Sequence, residues 1–367
     1  MALTKYKLGE LICKRREKYF GVEELPVRGV SREGFIPAKK SGKGTNQIFY
    51  KNDFVFNPAR MELNSIAFNR DYEMALCSST YEIFFVTKPE IILPEYLNLF
   101  VKRNEFARWC DFVSTGSVRE CCHVTDIAKI EINLPPLAVQ EKFVAVYNAL
   151  LENKKVYERG LDDLKLVCDG YIENLRRNMP CEKIGKYIEL SDERNIENLY
   201  TADDVRGLGI TKKFIPTKAD LDGVNLTNYK VVKPKQFAYV TVTSRNGGKI
   251  SIAHNDSEEK FICSTSYVVF RTDETKLLPQ YLAMWLSRTE FDRYARFHSW
   301  GSAREVFGWK DLCEVEIPIP SMEVQKSIAA IYEVYRTRQK ILERLKMTIK
   351  EICPVLIKGS LDEGATL

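Results

Sequence analysis

The apolar positions of this chain alternate twice between a mixed short-period pattern and a long helical one. From Tyr6 to about Pro135, β-rich runs such as Gln47-Ile48-Phe49-Tyr50, Phe54-Val55-Phe56 and Tyr81-Glu82-Ile83-Phe84-Phe85-Val86 sit between turn residues. That is the pattern of short strands. A helical stretch follows Pro94, with Tyr96, Leu97, Leu99, Phe100 and Phe106 at helical spacing. From about Lys183 to Pro320 the mixed pattern returns, with strands near Phe237-Ala238-Tyr239-Val240 and Tyr267-Val268-Val269-Phe270 and a helix after Pro279.

Each mixed region leads into one long helix. Phe143, Tyr147, Leu150, Lys154, Tyr157, Leu161, Leu164, Cys168, Tyr171 and Leu175 step by four and three. So do Val324, Ile328, Ile331, Tyr335, Arg338, Leu342, Leu345, Ile349 and Ile352. Heptads sustained this long predict coiled coil, and the polar Lys154 and Arg338 in the seams can set register. Pro135-Pro136 precedes the first helix, Pro180 stops it, and Pro354 ends or kinks the second. A helix from Gln140 to Arg177 spans about 57 Å. The organisation expected is a domain at 1–136, a connector helix at 137–179, a second domain at 180–320, a second connector at 321–358 and a tail at 359–367. The fold class is α+β, with two similar globular domains joined by two long antiparallel coiled-coil helices in pseudo-twofold arrangement.

The two halves are copies. Ser114-Thr115-Gly116-Ser117-Val118-Arg119-Glu120 returns as Ser299-Trp300-Gly301-Ser302-Ala303-Arg304-Glu305, an offset of 185 residues from 116 to 301. Leu93-Pro94-Glu95-Tyr96-Leu97 and Glu105-Phe106-Ala107-Arg108 return at the same offset. The offset drifts to 179 between Phe35 and Phe214 and to 186 between Cys77 and Cys263. This period is too long for a solenoid. Frame elements match while the stretches between them change length, as in two domains that carry different binding loops on one frame.

Composition narrows this little. With 367 residues, 45% apolar and 29% charged, each half can bury a core. A net charge of +5 is compatible with a nucleic-acid partner. No apolar run reaches the length of a membrane span and Met1 to Lys7 has no apolar signal region, so a cytoplasmic protein without membrane attachment is expected. The ten cysteines contain no C-x-x-C pair and read as reduced and mostly buried.

Candidate chemistry is thin. Cys121-Cys122-His123 with Cys110 upstream gathers soft ligands, but adjacent cysteines lack the spacing that lets two thiolates reach one zinc. The three histidines, His123, His254 and His298, do not match between the copies, and no G-x-S-x-G, P-loop or G-x-G-x-x-G occurs. Asn57-Pro58-Ala59-Arg60 lacks the aromatic residue a base-methylating tetrapeptide places after its proline, so it reads as a turn. The Ser-Thr-Gly-Ser-x-Arg-Glu loop is different. Small hydroxyl residues and a glycine let backbone N–H groups approach a phosphate, and the arginine adds charge. A plain turn with an exposed arginine is the competing reading. Lys212-Lys213-Phe214, Arg293-Tyr294-Ala295-Arg296-Phe297-His298 and the basic loop Lys39-Lys40-Ser41-Gly42-Lys43-Gly44 together suit a phosphate-tracking surface.

At this point the chain resembles the DNA-specificity (S) subunit of type I restriction-modification systems. The resemblance rests on Tyr6-Lys7-Leu8-Gly9-Glu10, on Asp53 to Arg60, and on the Gly116 to Arg119 and Gly301 to Arg304 loops. The domain exits Ile132 to Gln140 and Ile317 to Gln325 match as well. It implies two target-recognition domains that each read half of an asymmetric bipartite double-stranded DNA site. It implies helices that set the spacer and dock two methyltransferase (M) subunits, with restriction (R) subunits joining them. S-adenosylmethionine and catalysis belong to the M subunits, so this chain is expected to have neither cofactor nor catalytic residues. The candidate DNA-binding residues are Arg60, Ser114, Thr115, Gly116, Ser117, Arg119, Arg245, Gly301, Ser302 and Arg304. Two other readings compete: a self-contained two-lobed DNA methyltransferase and a structural coiled-coil adaptor.

Overall fold

The computed structural model describes residues 3–21, 24–38, 46–116, 120–243, 248–302 and 304–366. In the first half, strands β1 (Ile12–Arg15), β2 (Phe54–Phe56), β3 (Ile66–Phe68) and β4 (Glu82–Val86) precede helices α1 (Pro94–Val101) and α2 (Asn104–Val113). The long helix α3 (Leu137–Asn178) follows. The second half repeats the series as β5 (Ile188–Leu190), β6 (Phe237–Val240), β7 (Ile252–His254), β8 (Tyr267–Thr272), α4 (Pro279–Leu286) and α5 (Thr289–Phe297). Helices α6 (Met322–Glu351) and α7 (Cys353–Thr366) complete it. The chain forms two compact units, residues 1–156 with 342–367, and residues 157–341.

The first unit is built on an antiparallel sheet of order β1-β4-β2-β3. Side chains alternate across a strand, so β2 sends Phe54 and Phe56 into one core with Leu97 and Phe106. It sends Val55 into a second core with Val30 and Phe49 on the other face. Phe54 lies opposite both Phe84 and Phe68, and its ring stacks on Phe84 at 4.8 Å. Such pairs add about 0.5–1.5 kcal/mol beyond area burial. The terminal strands Thr4–Lys7 and Glu131–Leu134 pair and close the domain. Within this unit the start of α3 runs against the chain's end. Tyr147 and Val144 share a core with Cys353 and Leu356, and Phe143 touches the position where Gly359 would carry a Cβ.

The second unit has the same order, β5-β8-β6-β7, and the same stack, Phe237 on Phe270 at 4.9 Å. Strand β6 splits its residues likewise, with Phe237 and Tyr239 in one core and Ala238 in another. Cys181–Lys183 and Glu316–Pro318 close this domain. Here Cys168 and Ile172 of α3 pack with Ile328 and Tyr332 of α6. Arg338 Nη1 lies 2.7 Å from where a Cβ on Gly160 would be. Rising numbers on α3 meet falling numbers on α6, so the pair is antiparallel inside this unit.

Three sequence expectations need correction. The single helix after Pro94 is two, because Arg103 is extended and α2 starts afresh at Asn104. The seam of α3 does not hold to Tyr171, which is exposed, while Ile172 is buried. A straight α-helix drifts about 20° per heptad against a 3.5-residue repeat, and four heptads from Phe143 turn position 171 off the face and bring 172 onto it. Finally, residues 359–367 are not a trailing tail, since α7 runs to Thr366. Pro354 lacks an N–H and interrupts the ladder at Ile352, but it suits the first turn of a new helix. Tyr96 and Ser360 join their hydroxyls at 2.6 Å inside the first unit.

Candidate nucleic-acid interface

Two loops meet at one rim of each sheet. In the first unit the β2–β3 loop holds Asn57 to Ser65. Asn57 caps the 3₁₀ turn Pro58–Leu63 by accepting from the Ala59 N–H at 3.2 Å, so Asn57-Pro58-Ala59-Arg60 is the turn its sequence suggests. Arg60 projects exposed from it. The second loop follows α2. Thr115 and Cys121 exchange backbone hydrogen bonds at 3.3 and 3.1 Å and form a neck. The Cys122 N–H then donates to the Pro58 carbonyl at 3.0 Å. That bond latches the two loops together.

The second unit repeats the device with more bonds. Trp300 and Val306 form the neck at 3.1 and 2.9 Å. The Phe307 N–H donates to Thr241 at 2.8 Å, and the Thr243 N–H to Glu305 at 2.9 Å. Thr243 Oγ1 donates to Ser299 Oγ at 2.9 Å, and Ser299 passes its own proton to the Ala295 carbonyl at 2.6 Å. Ser114 does the same in the first unit, donating to Cys110 at 2.7 Å. These serines hold the loop to the end of its helix, so the Ser114 hydroxyl proton is already committed.

Gly301 has φ 137°, and a Cβ there would stand 2.2 Å from the Arg304 carbonyl oxygen. Gly116 has φ 154°. Glycine is therefore required at the turn itself. Thr115, Gly116, Gly301, Ser302 and Arg304 are all exposed around these necks. The remaining candidates, Ser117, Arg119 and Arg245, lie outside the described residues, as does the basic loop 39–44. The structure thus brings the Arg60 loop beside the Thr115-Gly116 neck, and the segment leading to Arg245 beside the Gly301 to Arg304 loop.

Two basic tracts change meaning. Lys212 is mostly withdrawn from solvent, 2.9 Å from Asp292 and donating to the Leu286 carbonyl at 2.6 Å. Burial pushes its pKa down while Asp292 opposes the shift. It serves the interior and is withdrawn from any phosphate. Arg296 pairs with Glu305 across the loop neck. The cysteine–histidine group is also accounted for. Cys110 and Cys122 sit in the apolar core, while His123 Nδ1 lies 3.1 Å from Glu82. Burial opposes the charge on Glu82, but Lys14, the Val124 N–H and His123 outweigh it and hold the carboxylate below its usual range. No group of three metal-ligating side chains occurs among the described residues. None of their helices is long and apolar enough to cross a membrane.

The latch and its threonine and serine partners were not legible in sequence, because they join residues up to 66 positions apart, as Phe307 is joined to Thr241. The repeat did hold one unread signal. Phe112 and Phe297 stand at the common offset of 185 residues, each just before a neck.

Residues 194–351 match the type I restriction modification DNA specificity domain. The match falls in the second copy of the repeat and agrees with the resemblance carried by the loops and domain exits. Over the whole chain the fold is similar to that of the type I restriction-modification system S subunit from M. genitalium, with a TM-score of 0.62, 12% identity, and coverage of 98% of this chain and 96% of that one. The HsdS subunit from Thermoanaerobacter tengcongensis aligns over 98% of this chain and 96% of its own at 16% identity, with a TM-score of 0.39. A search of the curated proteins by sequence returns no match.

Proposed function

We propose that this chain, whose residues 194–351 are a type I restriction modification DNA specificity domain, is the DNA-reading subunit of a type I restriction-modification complex. The observation that carries this reading is the repetition of one frame in both units: the same sheet order, the same closing strands and the same latched pair of loops. Each unit offers a rim with exposed Arg60 or Arg304 for phosphate, beside loops whose sequences differ between the halves. Phosphate contacts position a protein on DNA, and differing loops read differing bases. Two unlike readers on one frame suit an asymmetric bipartite site.

On this reading the chain itself is not a catalyst. Two methyltransferase subunits dock on it, bind S-adenosylmethionine and modify the base, and restriction subunits join that assembly in the cytoplasm. The self-contained methyltransferase is the weaker alternative, since the domain matched is one of specificity.

Mapping methylated bases in a host carrying the chain with its methyltransferase partner tests the reading. Methylation should appear at one asymmetric two-part site. Exchanging residues 1–136 for those of a relative should change one half of that site and spare the other. Methyl transfer to DNA by the purified chain alone would overturn the assignment.

A further inference from the structure

An arginine and a phenylalanine stand exposed on the same face of α2 and of α5. Residues four apart on a helix are neighbours. Arg108 and Phe112 form such a pair in the first unit, and Arg293 and Phe297 form it in the second. Phe112 is 87% exposed and Phe297 76%. Their equivalence does not rest on numbering alone. Both precede a serine that bonds back to its helix, Ser114 to Cys110 and Ser299 to Ala295, and both necks latch to the loop after the second sheet strand.

We propose that Phe112 and Phe297 are DNA-contacting residues whose rings pack against bases at the edge of each half-site, while Arg108 and Arg293 hold the flanking phosphates. The inference rests on the specificity reading above and assigns it a contact surface on two helices. A largely exposed phenylalanine contributes little to the core, so its return at the same place in two diverged domains calls for another role. Each ring has exposed charged neighbours on its helix, Arg108 and Asp111 for one and Arg293 and Arg296 for the other, and the exposed Trp300 follows Phe297 at the neck as a second aromatic face. Arginine beside an aromatic ring is chemistry suited to nucleic acid. The guanidinium meets phosphate, and every base offers a face for stacking or for an apolar wedge. Among the described residues Arg108 pairs with Glu105 at 3.7 Å, an exposed contact that phosphate can replace. Phe297 already packs edge-on against His298 at 5.1 Å, which steadies its ring. Both rings lie within three residues of a neck, on the rim where the candidate loops emerge.

The test uses the chain assembled with its host's methyltransferase subunits and a DNA duplex selected by that complex from a random-sequence pool, with 2-aminopurine placed in turn at positions flanking each half-site. The wild-type complex should raise 2-aminopurine fluorescence at one flank of each half-site. Phe112→Ala should lower affinity by about 5- to 100-fold, from the value of one base–aromatic stack, and abolish the signal at one half-site only. Phe297→Ala should abolish it at the other, and Phe112→Trp should retain both affinity and signal. Arg108→Ala should reduce the salt slope by about one. Wild-type affinity and fluorescence in both alanine variants would overturn the proposal. So would failure of either variant, folded by circular dichroism, to assemble with the methyltransferase subunits, which would mark a protein-docking face. If the wild-type complex selects no duplex, the specificity reading falls, and this inference with it.

Discussion

Gln140 and Gln325 make the same three hydrogen bonds in the two halves of the chain. Gln140 accepts from the Leu93 N–H at 3.0 Å and donates to Ile91 and Pro135, each at 2.9 Å. Gln325 accepts from Leu278 at 2.9 Å and donates to Lys276 at 2.8 Å and Pro320 at 2.9 Å. Both side chains are fully buried. Each ties the first turn of a long helix to the domain exit and to the loop before α1 or α4. Neither position belongs to the heptad seams, yet at each one amide satisfies three backbone groups.

Gln140→Leu and Gln325→Leu should each destabilise their unit by about 2–3 kcal/mol, since the vacated backbone groups stay buried without partners. Denaturant unfolding checks this. Equal stability of wild type and variant would mean that water replaces the amide.

His254 takes the place that Phe68 holds in the first unit. Its ring lies 4.7 Å from Phe237, as Phe68 lies 4.9 Å from Phe54. Burial pushes its pKa from 6.5 down to about 4. The unfolded chain therefore takes up a proton below pH 6.5 that the folded unit refuses until about pH 4. The stability from this group is whole above pH 6.5 and lost as pH falls to 4, about 3 kcal/mol in all. His254→Phe should flatten that part of the acid limb, read as melting temperature against pH. An unchanged limb would assign it to carboxylates.

Two glycines should respond oppositely to alanine. At Gly301 the new Cβ meets the Arg304 carbonyl, so Gly301→Ala should deform the loop and weaken DNA binding with little change in global stability. At Gly160 the Cβ meets only the far end of the Arg338 side chain, which can swing aside. Gly160→Ala should then gain about 0.5–1 kcal/mol from helix propensity. Electrophoretic mobility shift and thermal unfolding of both variants separate the cases.

Arg60, Arg119, Arg245 and Arg304 are expected to meet phosphate. Each alanine substitution should weaken binding to all sequences alike and lower the salt slope by about one. Affinity measured across a salt series decides it; a loss confined to one sequence would instead mark a base contact.

Lengthening α3 and α6 by one heptad each adds about 10 Å, or about three base pairs of rise. If these helices set the spacer, the modified complex should methylate a longer site or lose binding, with each half-site keeping its bases. Methylation at the original spacing would show that the helices are not the ruler.

By itself the sequence determined the duplication, the strand runs, the two long helices, the proline breaks between them and the match of residues 194–351 to a specificity domain. All are local or periodic signals, written in neighbouring residues or in one segment's likeness to another. The tertiary structure alone decided how the polar groups are used. Lys212 reads as a surface cation and is spent on Asp292. Ser114 reads as a phosphate ligand and anchors a helix end. The expected tail is helix α7, seated where Gly364 comes close to Pro135 and Leu3. Each outcome depends on a partner distant in the chain, and folding selects it by satisfying buried donors and acceptors, which residue spacing does not record.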